Sequence, residues 1–229
     1  MTALPQAVQQ ALEAVRRAPV AERLVVFDAD GTLWRGDVGE ALLHELISLK
    51  WVDVTFAQYQ AIHDAHPLKA YAWAVEIMKG LGNAQLQQVC QQLFERDFVT
   101  QIFGFVTPLL EALNGLSART YVCSASPWWP VQAGARVLGI DGLHVIAVEG
   151  AMVDGVLTGE VLPPVTAGLG KVKALRMRKL KPVLAVGNGA LDLPMLEFSQ
   201  QQLVVSPRDA EPNELVLAAR ARQWPIVEV

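Results

Sequence analysis

The sequence predicts a doubly wound, parallel-sheet α/β fold with an inserted block of helices, and three observations predict it. Short apolar, β-branched runs recur at 24–28, 120–123, 145–148, 183–186 and 203–205. Segments of helical or loop character separate them, as βαβ units require. A long stretch rich in Ala, Leu and Gln, without strand character, falls between the first run and the second. Runs that are apolar at every position belong to strands covered on both faces, the situation of a parallel sheet between helices.

Residues 5–17 read as an amphipathic helix that leads into the first strand, within an N-terminal helical segment placed at 1–17. Leu24, Val25, Val26 and Phe27 form that strand, and Asp-Gly at 30–31 breaks it. From Gly39 to about residue 103 the pattern is helical almost throughout. Residues 152–159 read as a small hairpin turning at Asp154-Gly155. The expected division is therefore an α/β core at 18–36 and 105–229 and a helical cap at 37–104, inserted directly above Asp28.

Composition narrows the function classes. Of 229 residues, 52% are apolar and 18% charged, which excludes a disordered chain. No window approaches eighteen uninterrupted apolar residues, and the first seventeen residues lack a secretion-signal layout, so no membrane partner and a cytoplasmic location are expected. A net charge of −4 without a basic cluster argues against a nucleic-acid partner. Cys90 and Cys123 read as reduced core residues, and Met177, Met195 and Trp73 as packing residues.

Open α/β sheets keep their sites at the carboxyl ends of strands, and four features of this chain fall there. Asp28 and Asp30 flank the first turn. A calcium loop is excluded, because Thr32, Leu33 and Gly39 stand where an acid, a glycine and a final Glu belong. A polar turn whose acids cap backbone donors is the bland alternative. The second strand ends in Ser124-Ala125-Ser126-Pro127; Ser124 is the functional candidate, and Ser126 is expected to cap the next helix with Pro127 in its first turn. Lys171 follows Gly168-Leu169-Gly170. The fourth strand ends in Gly187-Asn188-Gly189-Ala190-Leu191-Asp192, where Asp192 replaces the third glycine of a dinucleotide fingerprint.

These elements, in this order, resemble the haloacid dehalogenase-like hydrolase superfamily, in its phosphoserine-phosphatase-like branch with a helical cap. The resemblance rests on DADGTLW at 28–34, SAS at 124–126, the hairpin at 152–161, GK at 170–171 and GNGALDLPML at 187–196. It implies a phosphatase that uses Mg2+, with Asp28 as nucleophile and Asp30 as general acid and base. Ser124, Ala125 and Lys171 would hold phosphate, and Asp28, Asp30, Asn188 and Asp192 would form the metal end. An acid at position 30 speaks against dehalogenation, because a halide leaves without a proton.

The chain departs from that pattern in two places. Asn188 stands where the family usually has Asp, which removes one negative charge from the metal end and leaves a weakly catalytic, ligand-sensing role open; Leu191 replaces a commonly polar residue. Residues 68–81 contain Lys69 and Lys79 but no arginine to clamp a substrate carboxylate. Asp37 falls at an acidic cap position, with Glu40 close by, so an amine-bearing leaving group is an expectation; helix capping is the alternative for both acids. Trp34 and Trp128 read as cap-against-core packing, with an indole wall for a quaternary ammonium as the alternative. The combined expectation is a Mg2+-dependent phosphomonoester hydrolase acting on a small phosphorylated metabolite through an aspartyl-phosphate. The alternatives are a regulatory phospho-ligand binder and a phosphotransferase to an alcohol.

Overall fold

The apolar runs become β1 (Leu24–Phe27), β2 (Arg119–Pro127), β3 (Val145–Val153), β4 (Val156–Leu162), β5 (Leu184–Gly187), β6 (Gln201–Ser206) and β7 (Ile226–Glu228). This is a computed structural model, and it describes residues 4–208 and 211–229. The expected start of the first helix at residues 1–3 lies outside the described residues. The strands form one sheet in the order β4-β3-β2-β1-β5-β6-β7, parallel throughout except for the β3–β4 hairpin. Phe27, at the end of β1, is in register with Val122 on one side and Val186 on the other. From β1 the chain winds outward through β2 and β3, then returns to wind the other way through β5, β6 and β7. The reversal lies between β1 and β5, where an open α/β sheet leaves a crevice at its carboxyl edge.

All of β1 and β5 is buried, as runs apolar at every position require. The hairpin turns at Asp154 (φ 50°) and Gly155 (φ 77°), the paired left-handed conformation of a two-residue turn that follows the sheet twist. β7 goes beyond the sequence expectation: three residues with one buried side chain, Val227, carry too little periodicity to read.

Helix α1 (Gln6–Arg17) buries Val8, Ala11, Leu12 and Val15, one stripe at helical spacing. Between β1 and β2 stand α2 (Val38–Ser48), α3 (Phe56–Ala65), α4 (Pro67–Glu76) and α5 (Asn83–Leu93). Then come α6 (Val106–Gly115), α7 (Trp128–Val137), α8 (Leu169–Met177), α9 (Leu193–Phe198) and α10 (Glu214–Arg222). The inserted helices have a small core of their own, in which Leu43, Tyr59, Ala70 and Ala74 are buried together. They are tied to the hairpin by backbone bonds: Gly80 N–H to Leu157 O (2.8 Å), Leu157 N–H to Leu81 O (3.0 Å) and Asn83 N–H to Gly155 O (2.7 Å). Trp129 Nε1 adds a bond to Asn83 Oδ1 at 2.9 Å. At the junction with the sheet, Trp34 meets Phe94 edge to face, ring centres 4.9 Å apart, over Gly134 of α7. A Cβ at Gly134 would come within 2.5–2.7 Å of both rings, so only glycine admits this packing.

Cys90 and Cys123 are free and buried. Met195 is fully buried, whereas Met177 is 63% exposed at the end of α8, which corrects the packing role expected of it. Among the described residues no helix is long and apolar enough to cross a membrane.

Candidate active site

Asp28 leaves β1 with its N–H still bonded to Val186 O (2.8 Å), so the carboxylate is carried on the last rung of the sheet. Its Oδ1 accepts from Lys171 Nζ at 2.6 Å and its Oδ2 from Thr32 Oγ1 at 3.0 Å. Lys171, in the first turn of α8, is only 1% exposed and also donates to Asp192 Oδ1 at 2.6 Å. Asp192 Oδ2 in turn accepts the backbone N–H groups of Asn188 and Gly189, both at 3.0 Å. One buried ammonium thus bridges two carboxylates whose remaining oxygens are bonded, the condition under which a buried ion cluster is tolerated. Burial first, and the charge of Asp192 next, push the Asp28 carboxyl up to about 6, while Lys171 pulls it down. For Lys171, burial works to lower its basicity, but Asp192 and Asp28 outweigh burial and hold it above its ordinary value.

Asp30 is held from a different direction. Its Oδ1 accepts from Trp34 Nε1 (2.8 Å) and Val38 N–H (2.9 Å), and its Oδ2 accepts from Ser126 Oγ (2.6 Å). Burial, and then the charge of Asp37, hold this carboxyl well above the usual carboxylate range, against the pull of the Ser126 and Val38 donors.

The structure decides one alternative and corrects one expectation here. Trp34 is fully buried and spends its N–H on Asp30, so it packs as expected, and the alternative of an indole wall for a ligand falls. Ser126 does not cap a helix: Pro127 is the residue before α7, no side chain caps it, and the Ser126 hydroxyl goes to Asp30 instead. Ser124 Oγ accepts the Ser126 N–H at 3.1 Å, and Ser124 O accepts from the Thr166 hydroxyl. Ala125 lies half-buried between the two serines. Trp128 is half-buried, edge-on to Trp129, with its ring beside Gly142.

The inserted helices supply the facing wall. Asp37 is the N-cap of α2 and accepts Glu40 N–H at 2.8 Å, which makes the capping alternative correct for it. Its charge is also felt by Asp30, Glu40, Tyr59 and Tyr71. Burial first and Asp37 next push the Tyr71 phenol up to about 12, and it also feels Lys171, Asp28 and Asp192. Tyr59 is raised by burial, Asp37 and Glu40, and His63 Nε2 lies 3.4 Å from Tyr71 Oη. Glu40 is half-buried and raised by burial and Asp37, while Lys69 and Lys79 are exposed. Sequence reasoning did not single out Thr32, Thr166, Tyr59 or Tyr71. Thr32 was legible as the hydroxyl four residues after Asp28; the phenols carry no spacing signal.

A sequence model of haloacid dehalogenase-like hydrolases matches residues 25–197, from β1 into α9. The chain belongs to this family. It is 31% identical over 183 residues to phosphoserine phosphatase SerB2 of Mycobacterium tuberculosis, a match covering 76% of this chain and 42% of that protein. It spans about half the length of other mycobacterial relatives. Among solved structures, a protein of unknown function from Bordetella pertussis superposes with a TM-score of 0.77 at 16% identity, covering 90% of this chain and 98% of that one. A phospho-aspartyl intermediate analogue of phosphoserine phosphatase superposes with a TM-score of 0.58 at 17% identity, covering 90% and 92%. These likenesses show the family's α/β fold, and all the residues gathered around Asp28 from the sheet side fall inside the family match.

Proposed function

We propose that the protein is a magnesium-dependent phosphomonoester hydrolase that carries the phosphoryl group on Asp28. The observation that carries this reading is a Lys171-bonded carboxylate at the end of β1 with a second buried carboxyl, Asp30, two residues on, held by Trp34, Val38 and Ser126. A cation fits the donor set. The inward atom of the Asn188 amide lies 3.1 Å from Asp28 Oδ2 and 2.9 Å from Asp30 O. Neighbouring oxygens of an octahedral Mg2+ at ~2.1 Å stand about 3 Å apart, so Asp28 Oδ2, the Asp30 carbonyl and Asn188 Oδ1 would hold one. Asp192 would act on this group from behind, through Lys171 and the Asn188 N–H.

Magnesium, when bound, offsets the negative charge of the phosphate and of Asp28. The chain's own residues supply the remainder. Lys171 keeps Asp28 ionised and oriented while Asp28 attacks phosphorus, forming an aspartyl-phosphate and displacing an alkoxide. Asp30, which holds its proton above the ordinary range, gives it to that alkoxide and then takes one from the water that hydrolyses the acyl phosphate. Ser124 Oγ, which accepts the Ser126 N–H at the end of β2, would turn with the amides around Ala125 to hold phosphate oxygens.

The substrate is a small phosphorylated metabolite, and Asp37, Glu40, Tyr59 and Tyr71 favour one whose leaving group carries an ammonium. No arginine stands in residues 68–81 to clamp a carboxylate. Asn188 favours a second reading, a weakly turning-over phospho-ligand sensor. Turnover of p-nitrophenyl phosphate with and without Mg2+ separates the two, followed by a panel including phosphoserine, phosphocholine and phosphoethanolamine. Turnover only with Mg2+, and faster on the amine-bearing esters, is expected. Phosphate retained without turnover supports the sensor, and turnover unaltered by chelation overturns the metal-dependent reading.

A further inference from the structure

Asn188 has a fixed backbone and a side chain whose neighbours do not match one orientation in all states. Its N–H is bonded to Asp192 Oδ2 (3.0 Å), and its carbonyl accepts from Asn213 Nδ2 (2.8 Å). The amide itself rests on Gly31, where a Cβ would come within 2.2 Å of its outer atom and 2.9 Å of its carbon. Gly31 also has φ 72°, so both conformation and space hold that position to glycine. What remains free is rotation that exchanges the amide oxygen and nitrogen in place.

The inward atom faces only acceptors: Asp28 Oδ2 at 3.1 Å, Asp30 O at 2.9 Å and Thr32 Oγ1 at 3.0 Å. Thr32 has a single hydroxyl proton, for which Asp28 Oδ2 and an inward Asn188 oxygen, both at 3.0 Å, compete. With oxygen inward and no cation, the amide oxygen would therefore face Asp28 Oδ2 and Asp30 O with no proton between them, and could bond Thr32 only by taking its proton from Asp28. With nitrogen inward, the two NH2 protons go to Asp28 Oδ2 and Asp30 O, while the outer oxygen faces donors. A divalent cation reverses the preference, because only an oxygen can coordinate it.

We infer that Asn188 is a cation-responsive positioning residue: its amide turns nitrogen inward to bond Asp28 and Asp30 when no cation is bound, and oxygen inward to ligate one. An aspartate at this position could do only the second, and without a cation it would set a second carboxylate about 3 Å from Asp28. The cation-free site is thereby kept assembled at the cost of weaker cation binding. This inference rests on the proposed metal site.

The test uses the full chain with Mg2+ as the probe. Side-chain amide resonances of Asn83, Asn114, Asn188 and Asn213 are followed by nitrogen-15 NMR, and the Asn188 pair is identified by its absence from Asn188→Asp. Exchange of the Asn188 NH2 protons with solvent should be slow without Mg2+ and at least several-fold faster at saturation. In parallel, Asn188→Asp should melt at a lower temperature than wild type without Mg2+, gain more from Mg2+, and bind it by calorimetry on the order of tenfold more tightly. Unchanged exchange on Mg2+ saturation, or equal cation-free melting of the two proteins, overturns the amide switch and leaves the metal site standing. Absence of Mg2+ binding in both proteins overturns the metal site and the switch with it. The wild-type exchange measurement stays decisive if Asn188→Asp fails to fold without the cation.

Discussion

On the sheet side of the site each charged side chain has a bonded partner: Lys171 spans Asp28 and Asp192, Thr32 takes the second oxygen of Asp28, and backbone amides take the second oxygen of Asp192. On the insertion side, Asp37 and Glu40 stand with Tyr59, Tyr71 and His63, and the lysines of residues 68–81 are exposed. The balanced wall fixes the Asp28 carboxylate between Lys171 and Thr32. The acidic wall, on the proposed function, would favour a ligand that brings positive charge. On the proposed function, reaction type would be set at strand ends and substrate choice at helix faces.

The largest effect expected is on the balanced wall. Asp28→Asn should lower kcat with p-nitrophenyl phosphate about a thousandfold or more while the protein stays folded, checked by steady-state kinetics and circular dichroism. Next, Lys171→Met should destabilise by roughly 3–5 kcal/mol in urea unfolding, because Asp28 and Asp192 lose the cation between them. A cost below about 1 kcal/mol would show that the two carboxylates are not charge-balanced by this lysine. On the acidic wall, Asp37→Asn keeps a competent N-cap for α2 and removes only charge. It should raise KM for an amine-bearing phosphate ester about tenfold and leave p-nitrophenyl phosphate within about twofold, since one exposed-to-buried ionic contact is worth roughly 1–2 kcal/mol. Equal effects on both substrates would erase the distinction between the walls. Smallest is Ser126→Ala, which removes one donor from Asp30. An alkyl phosphate should slow about fivefold, and p-nitrophenyl phosphate less, because its leaving group needs little help from an acid.

The same division explains what could be read from the sequence. Asp28, Asp30, Ser124, Lys171, Asn188 and Asp192 each follow an apolar run or a glycine-rich turn, so parallel-strand topology alone sends them to one edge. Their partners were less legible. Ser126 resembles an N-cap by type and position, yet β2 runs on through Pro127, and the hydroxyl meets Asp30 from a loop ninety-six residues earlier in the chain. Trp34 could stand at a mouth or in a core by composition; the decision lies with Gly134, on a helix across the site. Tyr59 and Tyr71 meet around His63 only because α3 and α4 pack on one another, a tertiary fact that neither helix's periodicity contains. β7 was lost for the simpler reason that three edge residues hold one buried side chain.

Chemical trapping during turnover tests the role of Asp28 most directly. Borohydride reduces an acyl phosphate on aspartate to homoserine, which peptide mass spectrometry locates to a residue. Homoserine at position 28, formed only when substrate is present and absent from Asp28→Asn, is the expected result. Full turnover with aspartate intact at position 28, or with homoserine elsewhere in the chain, would contradict it.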